Sequence, residues 1–396
     1  MKKYLLPFFL ISMFIQHSSA QSPRSVINFN NDWKFFLGND TNAVAVNYND
    51  ANWRTLSLPH DWSIEGNFSK DNPATTQGGA LPGGIGWYRK IFTIPVSAKN
   101  KNINIEFDGV YRNSEVWING NYLGKRPNGY ISFSYDLTKY LKFGTEENVI
   151  VVKADNSQQP NSRWYSGSGI YRDVRLVIKN PEVFIKKIFL RTSNTKTGEA
   201  DIFLNTVFGS TMQKEKGFTF SVSIYNANGK LISVGNHDNY DRLHFTGNNV
   251  SHAFSTNVFD PVFWSVNNPY LYKAVAKVYQ KGKLVDEVTI AFGVRSFHFD
   301  KEKGFFLNNK PLKIKGVCMH HDLGALGAAF NKSAAKRQLQ ILKDMGCNAI
   351  RTAHNPPAPQ FLDLCDEMGF LVMDEAFDMW NKKKNKFDYS KDFKDW

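Results

Sequence analysis

After Gly304 the chain changes rhythm, and that change limits the architecture more than any other feature. Leu312 to Val317 is predicted to form a buried-type strand. Ser333 to Met345 has helical periodicity, with Ser333 as candidate N-cap and Gly346 as the stop. Ala349 to Arg351 reads as a second strand, Pro359 to Met368 as a second helix ended by Gly369, and Phe370 to Met373 as a third strand. Strands alternating with helices mean parallel βα units. A closed (β/α)8 TIM barrel needs eight of each and roughly 250 residues. Fewer than 100 residues follow Gly304, so the expectation is an incomplete barrel of about three strands and two helices, in which no closed sheet forms.

Upstream the pattern is β throughout. Ile103 to Phe107 alternates apolar and polar, Ser114 to Ile118 follows, and Asn119-Gly120 supplies a hairpin turn. Short strands with such turns, from Val26 to about Lys179, predict a jelly-roll β-sandwich. From Pro181 to Phe299, the runs Val183–Leu190, Phe218–Tyr225, Tyr272–Tyr279 and Glu287–Ala291 fit a smaller immunoglobulin-like β-sandwich. The expected multidomain order is therefore a signal peptide (1–20), a jelly roll (21–180), an immunoglobulin-like sandwich (181–299) and the start of a TIM barrel (300–396). A length of 396 residues suits several domains rather than one.

The N-terminus reads as an export signal. Lys2 and Lys3 precede a mostly apolar run to Ile15, and Ser18-Ser19-Ala20 offers small residues for cleavage before Gln21. The apolar run is too short to span a bilayer comfortably, so a periplasmic or secreted protein with no membrane anchor is expected. The net charge of +13 raises nucleic acid as a partner. The lysines are scattered, however, and no nucleic-acid motif stands out, which argues against it. The one dense run, Lys382–Lys384 with Lys386, reads as a solvated face or tail. Cys318, Cys347 and Cys365 read as buried small hydrophobes; their spacing suggests neither a disulfide framework nor a metal site. No cofactor is evident. Aromatic residues make up 14% of the chain, with nine Trp. Such richness fits either sugar-binding ring faces or an aromatic sandwich core.

In a βα barrel, reacting groups sit at the C-terminal ends of strands. Polar residues follow all three predicted strands: His320-His321-Asp322, then Arg351-Thr352-Ala353-His354-Asn355, then Asp374-Glu375 through Trp380. Three successive loops of this kind predict a pocket rim of His, Arg, carboxylate and Trp.

These residues resemble glycoside hydrolase family 2, in its β-galactosidase-like branch. Gly316-Val317 with His320-His321-Asp322, the stretch Asn348 to Pro356, Cys365-Asp366, and Gly369 to Glu375 are similar to that family's signatures. So are Leu58-Pro59-His60-Asp61-Trp62, Gly86-Trp87-Tyr88-Arg89 and Ser168 to Val174 in the jelly roll, and Phe292-Gly293-Val294-Arg295 in the second sandwich. Two departures stand out. Asn355 replaces the usual Tyr, and Ser162-Arg163-Trp164-Tyr165 lies where β-galactosidases often carry an Asp.

The resemblance implies a retaining hydrolase of terminal β-galactosides, with a β-galactoside-containing glycan as partner. In such a reaction two carboxyl groups about 5 Å apart act as acid/base and nucleophile. The family places its acid/base Glu in an Asn-Glu pair after the fourth strand and its nucleophile near the seventh. No Asn-Glu pair occurs downstream of residue 304, so both are expected beyond Trp396, and Glu375 is expected to bond structurally at its strand end. By the same resemblance His320 and His354 contact sugar hydroxyls and Arg351 orients the nucleophile, with a backbone-bonded His and a structural ion pair as the bland readings. Asp374 either contacts hydroxyls or holds a loop; Trp380 either floors a subsite or packs in the core. A divalent cation such as Mg2+ is possible in a full-length relative. A β-glucuronidase or other family 2 glycosidase, and an inactive fragment or carbohydrate-binding module, are the competing readings.

Overall fold

The computed structural model describes residues 23–196, 198–210, 218–236 and 249–395. The predicted export signal lies outside them. The first sandwich pairs a four-stranded sheet (order Ser25–Asn28, Val174–Lys179, Asn102–Phe107, Phe133–Asp136) with a six-stranded one. Every second residue of Asn102–Phe107 and of Ser114–Ile118 points inward. Ile103, Ile105 and Phe107 therefore share a core with Val116, Ile118, Ile150 and Val152. Positive φ at Asn119 (48°) and Gly120 (77°) makes the predicted hairpin turn.

The second sandwich sets three strands (Phe184–Lys196, Glu199–Gly209, Asn249–Phe259) against four (Leu231–Asn236, Phe218–Tyr225, Tyr272–Gln280, Lys283–Phe292). Its core contains Ile202, Leu204, Val222, Ile224 and Ala276. A short antiparallel meander (Phe297–Asp300, Gly304–Leu307, Lys310–Pro311) leads into the third unit.

There three parallel strands form one sheet: Gly316–Met319, Ala349–Thr352 and Leu371–Asp374, with Gly316 level with Ala349 and Ala349 level with Leu371. The helix Lys332–Asp344 buries Ala335 and Leu339, one turn apart on one face. The helix Pro359–Met368 buries Phe361, Leu364 and Cys365 and ends at Gly369, whose φ of 76° makes the left-handed cap. These residues and Ile350 make a small core of their own.

Three details correct the sequence reading. The first strand lies at Gly316–Met319, not Leu312–Val317, and is partly exposed rather than buried. Leu312 instead packs with Trp264, Val266 and Leu307 where the barrel meets the second sandwich. The N-cap of the first helix is Asn331, whose side chain accepts from Ala334 N, and not Ser333. Cys365 is buried as expected, but Cys318 is exposed and Cys347 only half-buried; Cys318 lies on the open side of the three-stranded sheet, level with Arg351 and Met373. On that open side Met373 is 63% exposed.

The barrel start is tied to both sandwiches. Arg172 of the jelly roll is buried and donates to Tyr130 O (2.8 Å) and across to Pro356 O (2.9 Å). Asp61 accepts from Ser63 N and Ser168 N in its own domain and from Ala328 N (2.8 Å) in the barrel, and from the Tyr165 hydroxyl. Trp264 Nε1 donates to Asp366 O (2.8 Å) from the second sandwich.

Candidate functional site

The three parallel strands deliver their polar loops to one end of the sheet, and the jelly roll closes that end with residues 161–169. Trp164, on this loop, lies parallel to His320 (ring centroids 5.3 Å, 9° between planes) and edge-on to His354 (5.3 Å). His320 and His354 are themselves 5.6 Å apart. Trp164 is buried, so the loop is wedged between the domains and is no free flap.

His320 Nδ1 donates to Ala353 O at 2.7 Å. A carbonyl only accepts, so Nδ1 carries the proton and Nε2 of the neutral ring is an acceptor. Burial, with His354 alongside, holds the His320 pKa below the usual histidine value despite that carbonyl. The ring is therefore neutral at pH 7.

Glu375 is the centre of a second cluster. Its Oε1 accepts from Arg351 Nε (2.5 Å) and its Oε2 from His354 Nδ1 (2.8 Å). Partial burial pushes its pKa up, but the bonds from His354 and Arg351 outweigh that and hold it below the usual carboxylate range. Arg351 also reaches Cys318 Sγ at 3.5 Å. Asp374 accepts from Thr352 Oγ1 (3.2 Å), which in turn accepts from Glu375 N (3.2 Å), so one hydroxyl fixes both acids at the strand end.

A third cluster was not foreseen. Asp378 accepts from Arg163 of the jelly-roll loop (2.6 Å) and from Lys384 (2.8 Å). Burial raises the Asp378 pKa, but the two cations overcome it and leave the acid lowered. Arg163, Arg351, His354, Asp374, Glu375, Asp378, Trp380 and Lys384 together line an open cleft of about 580 Å³. Trp380 is 53% exposed there and meets Phe377 edge-on.

The structure thus brings Arg351, His354, Asp374 and Trp380 to one cleft; His320 does not line it and lies instead against Trp164. Sequence reasoning missed Arg163 and Asp378 as a pair, because 215 residues separate them. His321, named only as part of the first loop, turns inward and bonds Ser166 O at 3.1 Å. Among the described residues no three His, Cys, Asp or Glu converge as a metal's ligands would.

Models of the glycosyl hydrolases family 2 match three successive parts of the chain: the sugar binding domain at residues 26–181, a further family 2 model at 183–295, and the family 2 TIM barrel domain at 300–392. The chain belongs to glycosyl hydrolase family 2. Within that family it is 50% identical over 380 residues to a β-galactosidase of Bacteroides ovatus, covering 96% of this chain and 44% of the relative. It is 31% identical to a β-glucuronidase of Formosa agariphila, covering 89% and 38%. A solved family 2 member from Bacteroides cellulosilyticus superposes with a TM-score of 0.89 at 36% identity, covering 93% of this chain and 48% of that one. The chain spans less than half the length of these relatives. Its own described barrel strands number three.

Proposed function

We propose that this chain serves an exported, periplasmic or secreted, retaining glycosidase acting on terminal β-galactosides, and that its part is to seat the terminal sugar. The observation that carries the reading is the cleft shared by two domains, in which Arg163 of the jelly roll faces Arg351, His354, Asp374 and Trp380 of the barrel start. A pyranose offers hydroxyls around its edge and C–H faces above and below. The cleft offers the matching groups. His354 is anchored through Nδ1 to Glu375, which leaves its Nε2 for a hydroxyl. Asp374 is an acceptor at the strand end, and the half-exposed Trp380 offers a ring face.

The charge balance favours a neutral sugar. The three cations lining the cleft are already paired: Arg351 with Glu375, and Arg163 and Lys384 with Asp378. A uronate carboxylate would have to displace one of these acids. The 50% identity to a β-galactosidase points the same way. The resemblance assigns the reacting pair to later strands, so these three strands supply sugar contacts rather than the acid and nucleophile.

The test is a titration of residues 21–396 with isopropyl β-thiogalactoside and with the matching thioglucuronide. The galactoside is expected to bind more tightly, and His354→Ala and Trp380→Ala each to weaken it. A preference for the glucuronide, or indifference to both substitutions, would sink the galactoside reading.

A further inference from the structure

Just beyond Trp380 the chain turns strongly basic. From Trp380 through Asp392 it holds five lysines against two aspartates, Asp388 and Asp392. Lys382, Lys383, Lys384 and Lys386 are all exposed, and Lys384 lines the cleft. The acids nearby are committed inward. Asp388 is buried and accepts from the backbone N–H groups of Lys384, Asn385 and Ser390. Asp378 is occupied by Arg163 and Lys384. Asp392 is half-buried. Lys386 lies over the Phe387 ring at 5.1 Å. Among the described residues neither Lys382 nor Lys383 has an ion-pair partner. The cleft floor is thus charge-balanced while the rim next to Trp380 carries uncompensated positive charge. Asp378 fixes where that rim stands, because it ties Lys384 to Arg163 on the opposite wall.

We infer that this rim is a second recognition element, selecting glycans whose terminal galactose is attached to acidic residues. Resting on the galactoside reading above, the inference adds the class of the rest of the substrate: sugars bearing carboxylate or sulfate on the units that project past Trp380. Exposed lysines act on such groups as mobile point charges. Uncompensated charge at the mouth of a cleft also raises the local concentration of an anionic ligand.

Three oligosaccharides of equal length, each ending in β-galactose, separate the possibilities: one neutral, one with galacturonate in the inner units, one with sulfate esters there. Binding to residues 21–396 is followed by tryptophan fluorescence. At low salt the acidic probes are expected to bind about tenfold more tightly than the neutral one. The advantage should vanish near 1 M salt, where the Debye length falls to about 3 Å. The triple substitution Lys382→Ala, Lys383→Ala, Lys386→Ala should abolish the preference and leave neutral binding unchanged. The two acidic probes tell carboxylate from sulfate; preference for either one supports the inference. Equal binding of neutral and acidic probes at low salt, or a preference that survives the triple substitution, overturns it while the galactoside reading stands. Binding of no probe overturns both.

Discussion

The indole of Trp164 lies flat against the imidazole of His320, ring centroids 5.3 Å apart and planes 9° from parallel. One ring belongs to the jelly roll and the other to the first barrel loop, so His320 is positioned by a different domain from the one that carries it. Truncating a buried aromatic typically costs about 3–5 kcal/mol, and a stacked pair adds about 1 kcal/mol. Trp164→Ala is therefore expected to lower the urea midpoint of residues 21–396 and to weaken galactoside binding, while Trp164→Phe retains most of both. An unchanged midpoint in Trp164→Ala would show that the stack holds nothing.

Arg172 crosses the same boundary, spending its donors on the carbonyls of Tyr130 and Pro356 while lying 4.9 Å from the Tyr171 ring. Arg172→Met strips two buried carbonyls of a donor, at about 1–3 kcal/mol each. Hydrogen exchange should then accelerate at the start of the helix Pro359–Met368. A lysine cannot fork to both oxygens, so Arg172→Lys is expected to rescue only part. Protection of that helix start unchanged in Arg172→Met would refute the clamp.

Stability should fall in acid for a reason traceable to His321. Burial of the ring, with Arg172 nearby, pushes its pKa down to about 3. The unfolded chain then binds a proton that the folded chain refuses. Stability from this residue is complete above the ordinary histidine pKa of about 6.5 and is lost as pH falls from there toward 3, by up to about 1.4 kcal/mol per pH unit. His321→Gln should show a shallower loss across that window in thermal melts. Parallel curves for the two proteins would remove His321 from the account.

Glu375 invites a catalytic reading, and its surroundings argue against one. An acid held ionised by Arg351 and His354 is poorly placed to donate a proton. Its lowered pKa makes its bonds complete above about pH 4.3 and lost as pH falls through the folded value. The 396-residue chain is expected to show no turnover of an aryl β-galactoside, and Glu375→Gln to weaken galactoside binding. Turnover by pure protein that disappears in Glu375→Gln would reverse this assignment.

Much of the fold was legible because its signals are local. The helix Pro359–Met368 and its Gly369 stop were read from periodicity and one glycine, and the turn at Asn119-Gly120 from two residues. The errors arose where local signals competed. Asn331 and Ser333 are both good caps, and the choice fell to the residue whose side chain reached Ala334 N. The apolar run at Leu312 looked like a buried strand, yet its burial is against Trp264 of another domain. The strand-end loops announced the site through Arg351, His354 and Asp374. The wall opposite them did not announce itself, since Arg163 and Asp378 are 215 residues apart with the whole second sandwich between them.

Asp61 ties these observations to how such chains diversify. Its carboxylate is shared among Ser63, Ser168, Tyr165 and Ala328, so the loop that carries Trp164 and the segment leading to the first barrel helix are registered against one side chain. An exchange of either domain for that of a relative must keep Asp61 within reach of Ala328 N. Recombination within the family is accordingly expected to succeed when its crossover falls downstream of the first barrel loop, and to damage sugar recognition when it falls between the jelly roll and Ala328.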